Sequence, residues 1–250
     1  MREHAKTVGA TNLNQFENDA NFEIHYEVTA NEIIEQLESI NRKPDFVIAG
    51  IGTSGHIAAI SKRLRERYGD EVKVIGVQPS HNAVIPGIKR IVTNLKWLPI
   101  VKLDKIIEVS WEEAVKGVIE IAVNEGLLVG LSSGAVFQAY KKLRESKGTF
   151  ILVFPDDGFK YIEHFERYLR AYSSRLNTQE QDDQITLFLQ VASNLIIRRL
   201  FSFNYRADLT HYFLYFVRRL LSVYDICEFL YAFHDVFITP YFLNGNFSSF

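Results

Sequence analysis

The sequence holds a single cysteine, Cys227, which excludes an internal disulfide framework. Its seven histidines lack the paired spacing of metal ligands, so no metal scaffold is expected. Neither charge is in excess: 28 Lys and Arg stand against 30 Asp and Glu, and the isoelectric point is about 6.4. Such a chain has no basic surplus to neutralise a phosphate backbone, and no nucleic-acid partner is expected. Uncharged runs stay short of the roughly 18 to 20 residues that span a bilayer, so no transmembrane segment is expected. The opening stretch MREHAKTVGATNLNQ has no apolar centre of the signal-peptide kind, which makes a cytoplasmic, reducing location the expectation. What is present is a globular composition: 250 residues, 47% of them hydrophobic, enough to enclose a core.

The composition changes near Tyr172. All 13 lysines precede it, as do 13 of the 14 glycines, and the remainder is crowded with Phe and Tyr beside Arg as its only strong base. Residues 1–170 therefore read as one unit and 171–250 as an appended segment, joined through the polar stretch SSRLNTQEQDD. The first unit alternates β-branched runs with helical stretches, the pattern of an α/β fold with an open parallel sheet covered by helices. Strands buried on both faces are expected at 45–50, 72–77, 105–110, 127–132 and 149–155. Helices are expected over 56–68, 111–125 and 135–146. Ser110 and Glu113 have capping-box spacing, and Gly126 follows as a helix stop. In the appended segment, apolar residues from Ile185 to Ile196 and from Phe213 to Tyr224 keep helical spacing. An added helical element, a membrane-surface element and a stretch never selected to fold are three readings of it.

The most specific local pattern is DFVIAGIGTSGHIAAISKRL, in which a strand runs through Gly50, Gly52 and Gly55 into a helix. This is G-x-G-x-x-G in strand–turn–helix context, where glycines permit close backbone approach and a helix N-terminus favours an anion. A phosphate is the expected guest. A dinucleotide fold would also place Asp or Glu at the end of the second strand, and this sequence has Gln78 there. An NAD(P)-binding oxidoreductase thus remains as an alternative.

Four ordered segments, NQFENDANFEIHY (14–26), AGIGTSGHI (49–57), EGLLVGLSSGAVFQAYKKL (125–143) and ILVFPDDGFKY (151–161), together resemble the cysteine synthase and cystathionine β-synthase family of pyridoxal-phosphate (PLP) enzymes, of fold type II. The resemblance covers about 1–170. It implies pyridoxal 5'-phosphate as cofactor, a small amino-acid substrate, a homo-oligomer such as a dimer, and β-replacement on an activated serine by sulfide or a thiol. It also implies that Gly52, Thr53, Ser54, Gly55 and His56 hold the cofactor phosphate, with His56 standing where the family usually has threonine. Ser132 matches the family's contact to the pyridine nitrogen, with Ser133 beside it. Asp156 matches the family's PDSG turn, which departs here at Asp157 and Lys160, and Ser133 and Asp156 are further candidates for contact with the cofactor.

The family's Schiff-base lysine sits in a motif like NPTGSxKDR, and its substrate carboxylate is held by a TSGNTG-like loop. Neither motif occurs in this sequence. The chain is therefore expected to correspond to the C-terminal portion of such an enzyme, without its catalytic lysine. A non-catalytic interaction protein is the third functional alternative.

Overall fold

The computed structural model describes residues 7–91, 95–143 and 145–173. The two helices expected between Ile185 and Tyr224, and nearly all of the 171–250 segment, lie outside the described residues. The described residues fall into two compact units, one within Met1–Ala114 and Ala135–Phe154, the other within Val115–Gly134 and Pro155–Phe250.

The first unit is built on a parallel sheet of four strands: β1 (Phe46–Gly50), β2 (Lys73–Pro79), β3 (Lys105–Val109) and β4 (Phe150–Leu152), in the order β3-β2-β1-β4. β1 and β2 are the central pair, with Phe46 opposite Lys73 and Gly50 opposite Val77. Their β-branched, near-continuous apolar sequences suit a position covered on both faces. Side-chain alternation sends Val47, Ala49 and Ile51 to one face, where they share a core with Val74 and with three residues of helix α2 (Ala30–Ser39), namely Ala30, Ile34 and Leu37. Ile57, Ala58, Ile60 and Leu64 of helix α3 (Gly55–Tyr68) join that core, as do Trp97 and Val101. Each fully buried Ile or Leu contributes about 1.5–3 kcal/mol by leaving water. On the β4 side, Phe46 and Phe150 stack at 4.4 Å, and Tyr140 meets Phe150 edge-on at 5.0 Å.

β3 departs from the expectation of strands buried on both faces. It is one of the two edges of the sheet, and Lys105, Ile106 and Glu108 are exposed; β4, at the other edge, is likewise only half-buried. Two charges in a five-residue strand are the sequence counterpart of an edge that discourages further pairing.

Ahead of β1 lies a helical segment that strand–helix alternation did not anticipate. Helix α1 (Ala20–Ile24) passes through one π turn, His25–Thr29, into α2. A π turn adds a residue to the helical repeat and shifts the side chains that follow, and such turns recur at functional sites.

Helix α4 (Trp111–Glu125) begins as its capping box requires. The Ser110 backbone N–H donates to Glu113 Oε2 at 2.7 Å, and the Glu113 N–H donates to Ser110 Oγ at 3.1 Å. Gly126 closes it at φ +70°, a backbone state glycine adopts without strain. Ser110→Ala is expected to lower stability by about 1 kcal/mol, read as a drop in urea midpoint at unchanged slope. An unchanged midpoint would show that the cap is dispensable.

The second unit corrects one expected strand. Residues 127–132 do not join the sheet; Val129 makes a single antiparallel bridge to Asp157, and helix α5 (Leu131–Lys141) starts at once. The Gly130 N–H donates to the Asp156 carbonyl at 2.9 Å and the Gly158 N–H to the Leu128 carbonyl at 3.0 Å, so this stretch pairs with the 156–158 turn. Leu127, expected inside a strand, is 54% exposed. Short apolar runs do not distinguish strand from helix start, and the small residues Ser132, Ser133 and Gly134 fit a helical first turn. Helix α6 (Ile162–Ser173) ends the described chain.

Candidate phosphate loop

The loop from Ile51 to Ser54 leaves the carboxyl end of β1 and enters α3. Strand pairing ends where the Ile51 N–H donates to the Val77 carbonyl at 2.8 Å, and the Ile51 carbonyl accepts from the Lys89 N–H at 2.7 Å. Two glycines are required by close approach. A Cβ on Gly52 would lie 2.8 Å from the Gly87 carbonyl oxygen, and one on Gly55 would overlap the Asn21 carboxamide. That carboxamide ties the loop to the segment before α1. It donates to the Gln15 carbonyl at 2.7 Å and to Thr53 Oγ1 at 3.0 Å. Thr53 Oγ1 also accepts from the Gly55 N–H at 3.3 Å. With both acceptor positions of that hydroxyl engaged, its proton is left to donate.

Ser54 is the unusual residue. It precedes α3 with φ +71°, in the left-handed region that costs a serine of order 1 kcal/mol. It is 0% exposed, yet its Oγ has no hydrogen-bond partner. A buried hydroxyl left unpaired costs about 1–3 kcal/mol. The cost is offset if an acceptor occupies the space. The first N–H groups of α3 have no intrahelical partner and carry the positive end of the helix dipole, which selects an anionic acceptor.

His56 follows in the first turn of α3 and is half-buried. Burial, reinforced by His25, lowers its pKa to about 4, so the free loop holds it neutral at pH 7. The His25 and His56 rings meet edge-on, with centroids 5.9 Å apart. His25 is itself lowered by burial, and its Nδ1 lies 3.1 Å from Thr29 Oγ1. Asn21, His25 and Gly87 were not singled out from the sequence. The first two lie inside the stretch NQFENDANFEIHY, but nothing in it marked them as neighbours of the loop.

Gln78, considered above as a ribose contact, is committed elsewhere. Its Nε2 donates to Glu108 Oε1 at 3.0 Å, and its Oε1 accepts from the Ile91 N–H at 3.1 Å.

In the second unit, Ser132 and Ser133 sit in the first turn of α5, both buried, and Ser133 Oγ has no partner. Asp156 Oδ2 accepts from the Tyr161 hydroxyl at 2.6 Å and pairs with Lys160 Nζ at 3.0 Å, while its Oδ1 is buried and unpartnered. Burial and the Asp156 hydrogen bond raise the Tyr161 pKa, keeping its hydroxyl a donor. The departure at Lys160 thus supplies a cation to the Asp156 carboxylate.

A parallel α/β sheet with a glycine-lined turn into a helix N-terminus, and an unsatisfied hydroxyl at its centre, is an arrangement suited to an anion. The chain belongs to the pyridoxal-phosphate-dependent enzyme family, whose model matches residues 1–156. Cysteine synthase of Aquifex aeolicus (strain VF5) is 37% identical over 159 residues, covering 60% of this chain and 47% of that protein. An O-acetylserine-dependent cystathionine β-synthase from Helicobacter pylori superposes with a TM-score of 0.59 at 28% identity, covering 65% of this chain and 56% of that one. A hydrogen sulfide-producing enzyme from Fusobacterium nucleatum superposes with a TM-score of 0.53 at 26% identity, covering 75% of this chain and 57% of that one. The chain spans about half the length of the curated relatives it matches. The fold is that of the fold type II PLP enzymes, and no helix among the described residues is long and apolar enough to cross a membrane. The buried, unpartnered Ser54 hydroxyl and the glycine cradle fit the phosphate of pyridoxal phosphate.

Proposed function

We propose that this chain is the phosphate-holding portion of a cysteine synthase-type enzyme, one that exchanges the β-substituent of an activated serine for sulfide or a thiol. The observation that carries this reading is Ser54, strained, fully buried and lacking a partner at the entry to α3. Backbone N–H groups of Gly52 to His56 and the hydroxyls of Thr53 and Ser54 bind the phosphate by charge-assisted hydrogen bonds. Asn21 fixes Thr53 and so the shape of the loop. When bound, pyridoxal phosphate supplies an electron sink for negative charge developing at the substrate α-carbon. Ser132 is assigned the ring-nitrogen contact by family resemblance alone. A neutral hydroxyl there does not hold the nitrogen protonated as a carboxylate would, which favours elimination across Cα–Cβ. Ser133, whose buried hydroxyl is unpartnered, and Asp156 are the further candidates for contact with the cofactor. The reading includes a cytoplasmic location and a dimeric assembly.

The NAD(P) alternative is disfavoured because both ends of the Gln78 carboxamide are already used within the protein. Parallel titrations of the full chain with PLP, followed by absorbance, and with NADH, followed by fluorescence, separate the two. Binding of PLP alone supports the proposal, and binding of NADH alone rejects it.

The division at residue 170 is likewise proposed: 1–170 carries the cofactor half and 171–250 is a separate element. Deleting 171–250 is expected to change association state and solubility, seen by size-exclusion chromatography with light scattering, while PLP affinity stays within about threefold. Loss of PLP binding with unchanged association would reject the division.

A further inference from the structure

His56 stands where the resembled family usually has threonine, and the structure gives that difference a partner. The π turn carries His25 against α3, edge-on to the His56 ring at 5.9 Å, with Nδ1 of His25 anchored at Thr29 Oγ1. The charged groups on the elements packed against α3 are occupied away from this pair. Glu66 takes Tyr26, Lys62 and Arg63; Glu38 takes Arg67; Asp19 takes Lys96. The turn Leu98–Ile100 brings no charged side chain, and Glu23 and Glu27 of α1 and the π turn, with Glu32 and Glu35 of α2, are exposed. No carboxylate contacts either imidazole among the described residues. Two residues before His56 lies the buried, unpartnered hydroxyl of Ser54.

We infer that this loop takes up a doubly charged anion together with one proton. The anion at Ser54 draws a proton from solvent onto the free ring nitrogen of His56, and His25 reinforces the burial that keeps His56 neutral until the anion arrives. No covalent bond changes. The product is an imidazolium beside a dianion. The inference rests on the reading of this loop as a phosphate site and adds a titrating group to it.

The sign follows from burial and from like charge. In the free protein His56 is held neutral down to about pH 4 by burial and by His25. A dianion stabilises the charged form and raises the pKa in the complex. Between the free and the raised value, binding is accompanied by proton uptake and tightens as pH falls, by at most tenfold per pH unit for one proton. His56 lends this site a charge that a threonine cannot.

Sulfate is the probe, because it stays a dianion throughout the range and its own titration does not contribute. Calorimetric titration of the full chain with sulfate at pH 5.5, 6.5 and 7.5, in buffers of unequal ionisation enthalpy, reads both affinity and protons taken up. The expected result is uptake approaching one proton per sulfate at the lower pH, with affinity about tenfold higher at pH 5.5 than at 7.5. His56→Gln should bind sulfate without uptake and with a flat pH profile. His25→Asn should raise the pH at which the His56 ring proton titrates in NMR spectra of the ligand-free protein, a shift that loss of mere packing would not produce. Sulfate binding by the parent without proton uptake would overturn the inference and leave the phosphate loop standing. Uptake that persists in His56→Gln would assign the proton elsewhere. No sulfate binding by the parent at any pH would overturn the loop reading and the inference with it. An unmoved His56 titration in His25→Asn would remove the role given to His25.

Discussion

Gly55→Asp is expected to reduce PLP affinity more than a hundredfold, to the limit of detection by equilibrium dialysis. Two effects act together. Any Cβ at residue 55 would overlap the Asn21 carboxamide, which holds Thr53 in place through a 3.0 Å hydrogen bond. The carboxylate would also stand in the first turn of α3, within a few ångströms of the proposed anion. At about 4 Å and an effective dielectric constant near 20, repulsion is about 4 kcal/mol per pair of unit charges, roughly a thousandfold in affinity. Gly55→Ala separates the two effects, since it keeps the overlap and adds no charge; a smaller loss is expected there. Circular dichroism would show whether the helices survive in both variants. A Gly55→Asp protein that is folded and binds PLP as the parent does would reduce the loop to a tight turn without a ligand.

The second large effect concerns turnover. The chain by itself is expected to form no cysteine from an activated serine and sulfide above the rate in buffer. The reason is chemical: the family's reaction depends on a lysine that bonds covalently to the cofactor and moves the α-proton, and on a loop that holds the substrate carboxylate. None of the 13 lysines stands in a sequence like the first motif, and the second motif is missing. Lys62 is bound up with Glu66 and the face of Tyr26 at the protein surface, and Lys142 with Glu113 and the Glu108 carbonyl. Addition of a polypeptide carrying both motifs is the condition under which turnover is expected to appear. Sulfide-dependent cysteine formation by the chain alone, accompanied by a borohydride-reducible PLP adduct at one lysine, would contradict this and identify a relocated nucleophile.

Much of the sheet was legible because its determinants are local. Runs such as FVIAG and VKVIGV have the β-branched density of strands covered on both faces, and they became β1 and β2. Ser110, Glu113 and Gly126 marked the limits of α4 because capping acts within three or four residues. The loop from Gly52 to His56 was legible as a pattern. Its energetic peculiarity was not, because the strain and isolation of Ser54 arise from what surrounds it. The same holds for His25, whose meeting with His56 depends on packing between segments about thirty residues apart, which no spacing rule announces. The strand expected at 127–132 failed because LLVGLS carries an apolar run without the length or flanks that separate a strand from a helix start. Its actual partner, the 156–158 turn, is distant in sequence. Exposure of β3 reflects its edge position, which depends on strand order rather than on the strand itself.

Phosphorus-31 NMR of PLP added to the full chain tests the central claim, that this chain holds the cofactor by its phosphate, most directly. The account predicts a bound resonance displaced from that of free PLP, which returns to the free position on addition of excess inorganic phosphate because the two compete for Ser54 and the α3 N-terminus. A PLP resonance that never moves, or a bound resonance that excess phosphate leaves in place, would contradict it.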